Sequence, residues 1–324
     1  LEQAGLKPVL FANVEPNPRS QTVDAAVERL NDKECDSVIG IGGGSPMDAA
    51  KVIALAAAEG HPAWEFMPHG DRNVRQPSKA LPLMMVPTLA ATGSEVNGVA
   101  VITNWDTHEK AAIGHRVLYP RVSIVDPELT VTVPRDYTID GAIDIISHVI
   151  EGFFTGVEST PLQDRFSLSV IRTVMESLPL VLDNPNDIDA RSQLSWCSVV
   201  AMSGMVNPGR GDRWPLHALE HALSGHYDIS HGRGLALLLP RLMAFTIKAR
   251  PRKFAFMARE LFHLSGDNDM RLGQKAIEGM IDFLRSVDRE LVMADVGIPD
   301  DSLFEPMAED TLRLYGTDDG CIAN

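Results

Sequence analysis

A short apolar run, Asp36-Ser-Val-Ile-Gly-Ile41, passes directly into Gly42-Gly-Gly-Ser-Pro-Met-Asp48, and an alanine-rich segment continues to Glu59. An apolar run ending in glycines suits a strand buried on both faces, and the alanines suit a helix packed tightly on it. A strand that turns on glycine into a helix commits this part of the chain to a parallel sheet covered by helices. The polar stretch Pro68 to Lys79 then loops to a second apolar run, Leu81 to Val86. Upstream, Ser20 stands where it can cap a helix whose apolar positions Val23, Ala26, Val27 and Leu30 fall at helical spacing. The opening Leu1 to Gly5 reads as the last turn of a helix with Gly5 at C′, and Lys7 to Val14 as a strand. That opening predicts that the first elements of the domain lie upstream of the sequence.

Beyond Pro134 strand-like alternation nearly vanishes. Helical patterns run from Thr138 to Phe154, Gln163 to Leu178, Arg191 to Met205, Pro215 to Leu223, Gly234 to Ala249, Pro251 to Leu264 and Leu272 to Asp288. The expected fold is an α/β N-terminal domain, 1–132, with a doubly wound, mostly parallel, Rossmann-like sheet. An all-α C-terminal domain, 133–324, follows.

Composition narrows the function classes. A net charge of −15 over 324 residues argues against nucleic acid or an anionic membrane as main partner. No apolar run is long enough to cross a bilayer. Cys35, Cys197 and Cys321 are too few and too scattered for a disulfide framework, so the expected setting is the reducing cytoplasm.

Two loops suit a nucleotide. Glycines at 42–44 let the backbone approach a phosphate, and the following helix would present free N–H groups to it, with Ser45 as cap and Pro46 in its first turn. The turn matches neither G-x-G-x-x-G nor Walker A, and a ligand-free βα turn is the bland alternative. A second loop, Pro87-Thr-Leu-Ala-Ala-Thr-Gly-Ser-Glu95, follows the next strand's carboxyl end, where open α/β sheets bind ligands.

A third constellation suits a metal. Asp144 and His148 are four apart on one expected helix, and His217 and His221 on another, with His226 and His231 just beyond. Five of the ten histidines fall in or near these two elements. One carboxylate and several imidazoles suit Fe²⁺ or Zn²⁺ with a position left for substrate. One alternative is that Asp144 and His148 form a surface pair. Another is that His217-Ala-Leu-Glu-His221 is the H-x-x-E-H of an inverted zinc protease, with Glu220 as base.

Taken in order and spacing, Gly42 to Asp48, Ala91-Thr-Gly-Ser-Glu95, Val125-Asp-Pro-Glu-Leu-Thr130, Asp144-Ile-Ile-Ser-His148 and His217 to His231 resemble the iron-containing (group III) alcohol dehydrogenases. Ala100-Val-Ile-Thr-Asn104, Thr160-Pro-Leu-Gln-Asp-Arg165 and Gly211-Asp-Arg-Trp-Pro-Leu-His217 are most similar to the butanol dehydrogenase and broad aldehyde reductase branch, which generally prefers NADPH. The resemblance implies hydride transfer between NAD(P)H, NADP(H) ahead of NAD(H), and a small aldehyde or primary alcohol, in a homodimer. It makes Asp144, His148, His217 and His231 the ligands of one Fe²⁺ or Zn²⁺, and His221 a proton-passing residue near the substrate. Gly42, Gly43, Gly44 and Ser45 would hold the pyrophosphate. Asp48, Thr88, Thr92, Asn97 and Leu129 would line the nucleotide, and Lys110 would reach its nicotinamide side. The family's first strand and the loop that separates NAD from NADP would precede Leu1. Within the same architecture, a lyase similar to dehydroquinate synthase, a polyol enzyme similar to glycerol dehydrogenase and an inactive truncated form are the alternatives.

Overall fold

The computed structural model describes residues 1–68, 74–211 and 213–316; part of the Pro68–Lys79 stretch, Asp212 and Cys321 lie outside the described residues. The chain divides into two units, the first made of Leu1–Pro87 and Ser94–Ile124, the second of Thr88–Gly93 and Val125–Asn324.

In the first unit, helix α1 (Ser20–Asp32) buries Val23 and Ala26. Its N-cap is Arg19, and Ser20 is the first helical residue, its hydroxyl turned to Gln21 Oε1 at 3.2 Å. Strand β1 (Val38–Gly42), helix α2 (Gly44–Glu59) and strand β2 (Leu83–Pro87) form the expected parallel crossover, but β1 is not buried on both faces as expected: Ile39 and Ile41, two apart on one face, are 37% and 59% exposed. Strand β3 (Val99–Asn104) and strand β4 (Glu109–Gly114) make a separate antiparallel pair, and β5 (Val122–Ser123) joins β2 to give the order β1-β2-β5. A Cβ on Gly40 would stand 2.6 Å from Met85 Sδ, so glycine is what lets these strands and α2 lie so close. The core of this unit gathers Val23, Val52, Leu55, Phe66, Ile102 and Leu118.

Two further expectations change here. Lys7 to Val14 forms no strand and pairs with none among the described residues. Pro8 has no N–H to offer and Asn13 takes a φ of 70°, both against a strand, and Phe11 and Val14 pack against the core. The β3–β4 hairpin was not foreseen, because its short turn at Trp105–His108 carries none of the glycine pairs that mark a hairpin.

The second unit is helical: α3 (Arg135–Thr155), α4 (Pro161–Asp183), α5 (Ile188–Met202), α6 (Pro215–Tyr227), α7 (His231–Thr246), α8 (Pro251–Phe262), α9 (Asp269–Ser286) and α10 (Phe304–Tyr315). Seven of these match the sequence patterns within a few residues, and α10 was not foreseen. Helix α3 is buried from Thr138 to Thr155, on its apolar and its polar face alike. Such a helix must satisfy its polar groups from its neighbours. Gly141 allows this crowding, since a Cβ there would meet the Ala90 carbonyl at 2.5 Å. No helix among the described residues is long and apolar enough to cross a membrane.

A buried clamp ties three helical elements together. Asp140 on α3 accepts from Arg289 Nε at 2.7 Å, just beyond α9, and from Ser230 Oγ at 2.9 Å, just before α7. Arg289 also donates to Asp136 at 2.8 Å. Removing Arg289 would leave the buried Asp140 carboxylate to the Ser230 hydroxyl and to the Arg233 guanidinium, which stands farther off at 3.7 Å. Arg289→Met is therefore expected to cost about 3–5 kcal/mol in denaturant unfolding. A loss under about 1 kcal/mol would mean that Asp140 is held by other groups.

Candidate metal centre

Helix α3 brings Asp144 and His148 to one face, and α6 brings His217; His231 is the first residue of α7. Ligand atoms of Asp144, His217 and His231 all lie within 4.8 Å of one another. The Nε2 atoms of His217 and His231 both stand 3.7 Å from Asp144 Oδ1, and His148 Nδ1 stands 3.4 Å from it. The His148 ring stacks on that of His217, with centroids 4.7 Å apart. These separations exceed normal hydrogen bonds. Both Asp144 oxygens, His148 Nδ1 and His217 Nε2 are buried with no hydrogen-bond partner. A buried carboxylate facing imidazole nitrogens at such distances is what a divalent cation of this donor preference would hold together. The residues therefore fit the metal that the sequence implies.

The supporting groups strengthen that fit. Glu151, fully buried on α3, accepts from the Nδ1 side of His217 and from the backbone N–H of Leu216 and His217. Glu220, fully buried on α6, does the same for His231 Nδ1 and also takes the Ser224 hydroxyl. A carboxylate on one ring nitrogen puts the proton there and turns the other nitrogen's lone pair toward the metal position. This arrangement overturns the protease reading, in which Glu220 would act on water: its carboxylate is buried and committed to His231 and Ser224. Neither carboxylate was singled out from sequence as a support. Glu151 was within reach, because Asp144, His148 and Glu151 follow the i, i+4, i+7 spacing of one helical face.

Charge states follow from the surroundings. Burial pushes the Asp144 carboxyl up, but the three histidines around it outweigh this and hold it at about 2. Burial pushes His148 down to about 3, so its ring is neutral and able to ligate. For His217 burial acts downward, yet Glu151 and Asp144 carry it up to about 10. His221 lies beside these groups, its ring centroid 5.6 Å from that of His231, and its Nδ1 meets the Tyr315 hydroxyl at 2.5 Å. Trp214 packs edge-on against His148 and His217.

In the first unit, Gly42 turns at a φ of 146° and Gly43 is the N-cap of α2. Ser45 therefore sits inside the first turn and does not cap; Gly44 begins the helix. Asp48 accepts from Ser94 Oγ at 2.6 Å and from Val101 N–H at 2.9 Å, bracing the segment before β3. Asn97 Oδ1 receives Lys51 Nζ at 3.1 Å and Val99 N–H at 2.8 Å. Lys110 donates to Asn17 Oδ1 at 2.9 Å, both side chains buried. In the second unit Thr88 and Thr92 are half-buried in the 88–93 loop, which α5 secures through Ser198 to the Ala91 carbonyl at 3.1 Å, and Leu129 is exposed. Asn17 and Lys51 are polar partners that no motif flagged.

Lys51 is fully buried, and burial lowers it to about 8. The unfolded chain then holds more protons than the folded one between pH 8 and about 10.5, so this group makes stability rise with pH across that window, by about 3 kcal/mol in all. Lys51→Met should flatten that part of the stability–pH curve relative to the parent protein. Parallel curves would show that Lys51 is solvated.

Both halves of the chain match models of one family: the iron-containing alcohol dehydrogenase model over residues 1–127, and the C-terminal model of the Fe-containing alcohol dehydrogenase family over 138–318. The chain belongs to the iron-containing alcohol dehydrogenase family. It is an NAD(P)-dependent alcohol dehydrogenase of that type. It is 37% identical over 305 residues to a probable NADH-dependent butanol dehydrogenase of Bacillus subtilis, covering 94% of this chain and 78% of the relative. It is 28% identical over 301 residues to the NADPH-dependent aldehyde reductase of Escherichia coli, covering 92% and 77%. Among solved structures, the NADH-dependent butanol dehydrogenase A of Thermotoga maritima superposes with a TM-score of 0.92 at 35% identity, covering 97% of this chain and 78% of that one.

Proposed function

We propose that this alcohol dehydrogenase reduces small aldehydes to primary alcohols, with Asp144, His148, His217 and His231 holding one Fe²⁺ or Zn²⁺. The observation that carries the reading is the buried Asp144 carboxylate, unbonded and faced by His217 and His231, in a chain whose two halves match the family. When bound, the cation supplies Lewis acidity toward the aldehyde oxygen and the nicotinamide supplies the hydride. Glu151 and Glu220 orient His217 and His231 so that their Nε2 atoms face Asp144. His148 and Trp214 wall the site against water. His221 gives the proton that the product hydroxyl gains, and takes it back in alcohol oxidation.

The first domain, 1–132, binds the dinucleotide in this reading, and the second, 133–324, carries the metal and the chemistry. Gly42, Gly43, Gly44 and Ser45 take the pyrophosphate at the start of α2, where N–H groups are free of helical partners. In this reading Asp48, Thr88, Thr92, Asn97 and Leu129 line the nucleotide, and Lys110 lies on its nicotinamide side. We assign NADPH as the better cofactor on the branch-specific stretches. The relatives of higher identity carry NADH in their names, so both are to be assayed together. A homodimer in the reducing cytoplasm completes the reading; Cys35 and Cys197 are free thiols, and burial raises Cys197 to about 11, which keeps it unreactive.

The test is oxidation of NADPH, with NADH alongside, driven by butanal, on protein reloaded anaerobically with Fe²⁺ or Zn²⁺. Metal-dependent turnover supports the reading. A folded, metal-loaded chain that reduces no aldehyde sinks it.

A further inference from the structure

Helix α10 lies antiparallel on α6 through two polar pairs. His226 meets Asp310 at 2.8 Å, and one step along both helices His221 Nδ1 meets the Tyr315 hydroxyl at 2.5 Å. The His221 and Tyr315 rings stand 5.4 Å apart, tilted by 59°. His221 is 5% exposed, and Tyr315 is half-buried as the last residue of α10. Nothing in the sequence singles out Tyr315, since it belongs to no site motif and to a helix that the hydrophobic pattern did not reveal.

We propose that Tyr315 is a positioning residue for the reaction, fixing His221 as the Nε2–H tautomer. A tyrosine hydroxyl keeps its proton until about pH 10 and is the better donor of this pair. With its O–H given to Nδ1, the single proton of the neutral imidazole must sit on Nε2. Nε2 is thus the atom that releases a proton when an aldehyde is reduced: the hydride forms the C–H bond and the Nε2 proton forms the O–H bond, while Nδ1 takes up the Tyr315 proton and the tyrosine oxygen regains one from solvent, so that no imidazolate is left. Without the hydroxyl, the ring divides between two tautomers and loses its fixed orientation. This rests on the role given to His221 above, and it explains why the chain carries α10 against α6 at this point.

Tyr315→Phe keeps the ring and removes only the donor. In the metal-loaded enzyme its kcat for butanal reduction should fall about 10-fold or more, with KM within about 3-fold and metal content unchanged. In a His221→Ala background the same substitution should change kcat no further, because the two residues act as one. An independent readout is the nitrogen NMR spectrum of the zinc-loaded protein labelled at histidine, with His221 assigned from His221→Ala. A bare Nδ1 and a protonated Nε2, shifting toward a mixture in Tyr315→Phe, is the expected result. A proton on Nδ1 in the parent protein overturns the proposal, as does an equal loss of kcat with and without His221. The spectrum decides the tautomer even if no aldehyde is turned over, so failure of the functional reading is told apart from failure of this one.

Discussion

His217→Ala is expected to yield protein that no longer retains a divalent cation through chelator competition and that has lost aldehyde turnover. Four-ligand sites supply apparent binding energies of about 10–16 kcal/mol, so one imidazole accounts for roughly 3 kcal/mol, or two orders of magnitude in affinity. The loss is compounded here because the buried Glu151 carboxylate would keep its charge while losing the His217 ring. His231→Ala should behave alike, with Glu220 left in the same position. His221→Ala is the contrast: its metal content should match the parent protein while kcat falls. The measurement is metal per chain after dialysis against a chelator, alongside thermal unfolding to establish that each variant is folded. A folded His217→Ala protein with parental metal affinity would remove Asp144, His148, His217 and His231 as the ligand set.

The second large effect concerns Glu151. Against the downward pull of burial, its carboxylate and that of Asp144 carry His217 up to about 10, so the metal-free protein holds an extra proton on that ring at neutral pH. The metal-bound ring cannot keep it, because Nε2 must offer a lone pair. Raising the pH therefore favours the bound state, and affinity should climb about tenfold per unit between pH 7 and 8.5 as one proton is released. In Glu151→Gln the climb should end at a lower pH than in the parent protein, because one of the two carboxylates that hold the His217 proton is gone. Above that point the variant should bind roughly 10–100-fold more weakly than the parent at high pH, because the ring is less basic and less firmly oriented. Zinc affinity measured against pH in both proteins checks the slope and the plateau. Identical slopes would mean that Glu151 does not govern the His217 proton.

The parts of this protein that were legible in its sequence are local in origin. The turn from β1 into α2 is written in three consecutive glycines and a run of alanines, because tight turns and close helix–strand packing need those residues where they stand. Asp144 with His148, and His217 with His221, are visible as pairs because one helical turn sets a residue beside its fourth neighbour. The strand expected at Lys7 to Val14 shows the limit. Its residues suit a strand, but a strand exists only with a partner, and none of the described segments pairs with it. The hairpin β3–β4 and helix α10 were missed for the converse reason, since their stability comes from what they pack on and not from a marked local pattern.

The alternation of strand and helix, the long helical half and the set of metal-capable side chains are all consequences of short-range geometry along the chain. The packing of helices far apart in the chain is what brings these side chains together. It set Asp144 of α3 against His217 of α6 and His231 of α7, placed Glu151 and Glu220 behind the two rings, and brought Tyr315 to His221. Contacts between residues far apart in the chain depend on how buried helices satisfy one another's polar groups, and no spacing along a single helix records that.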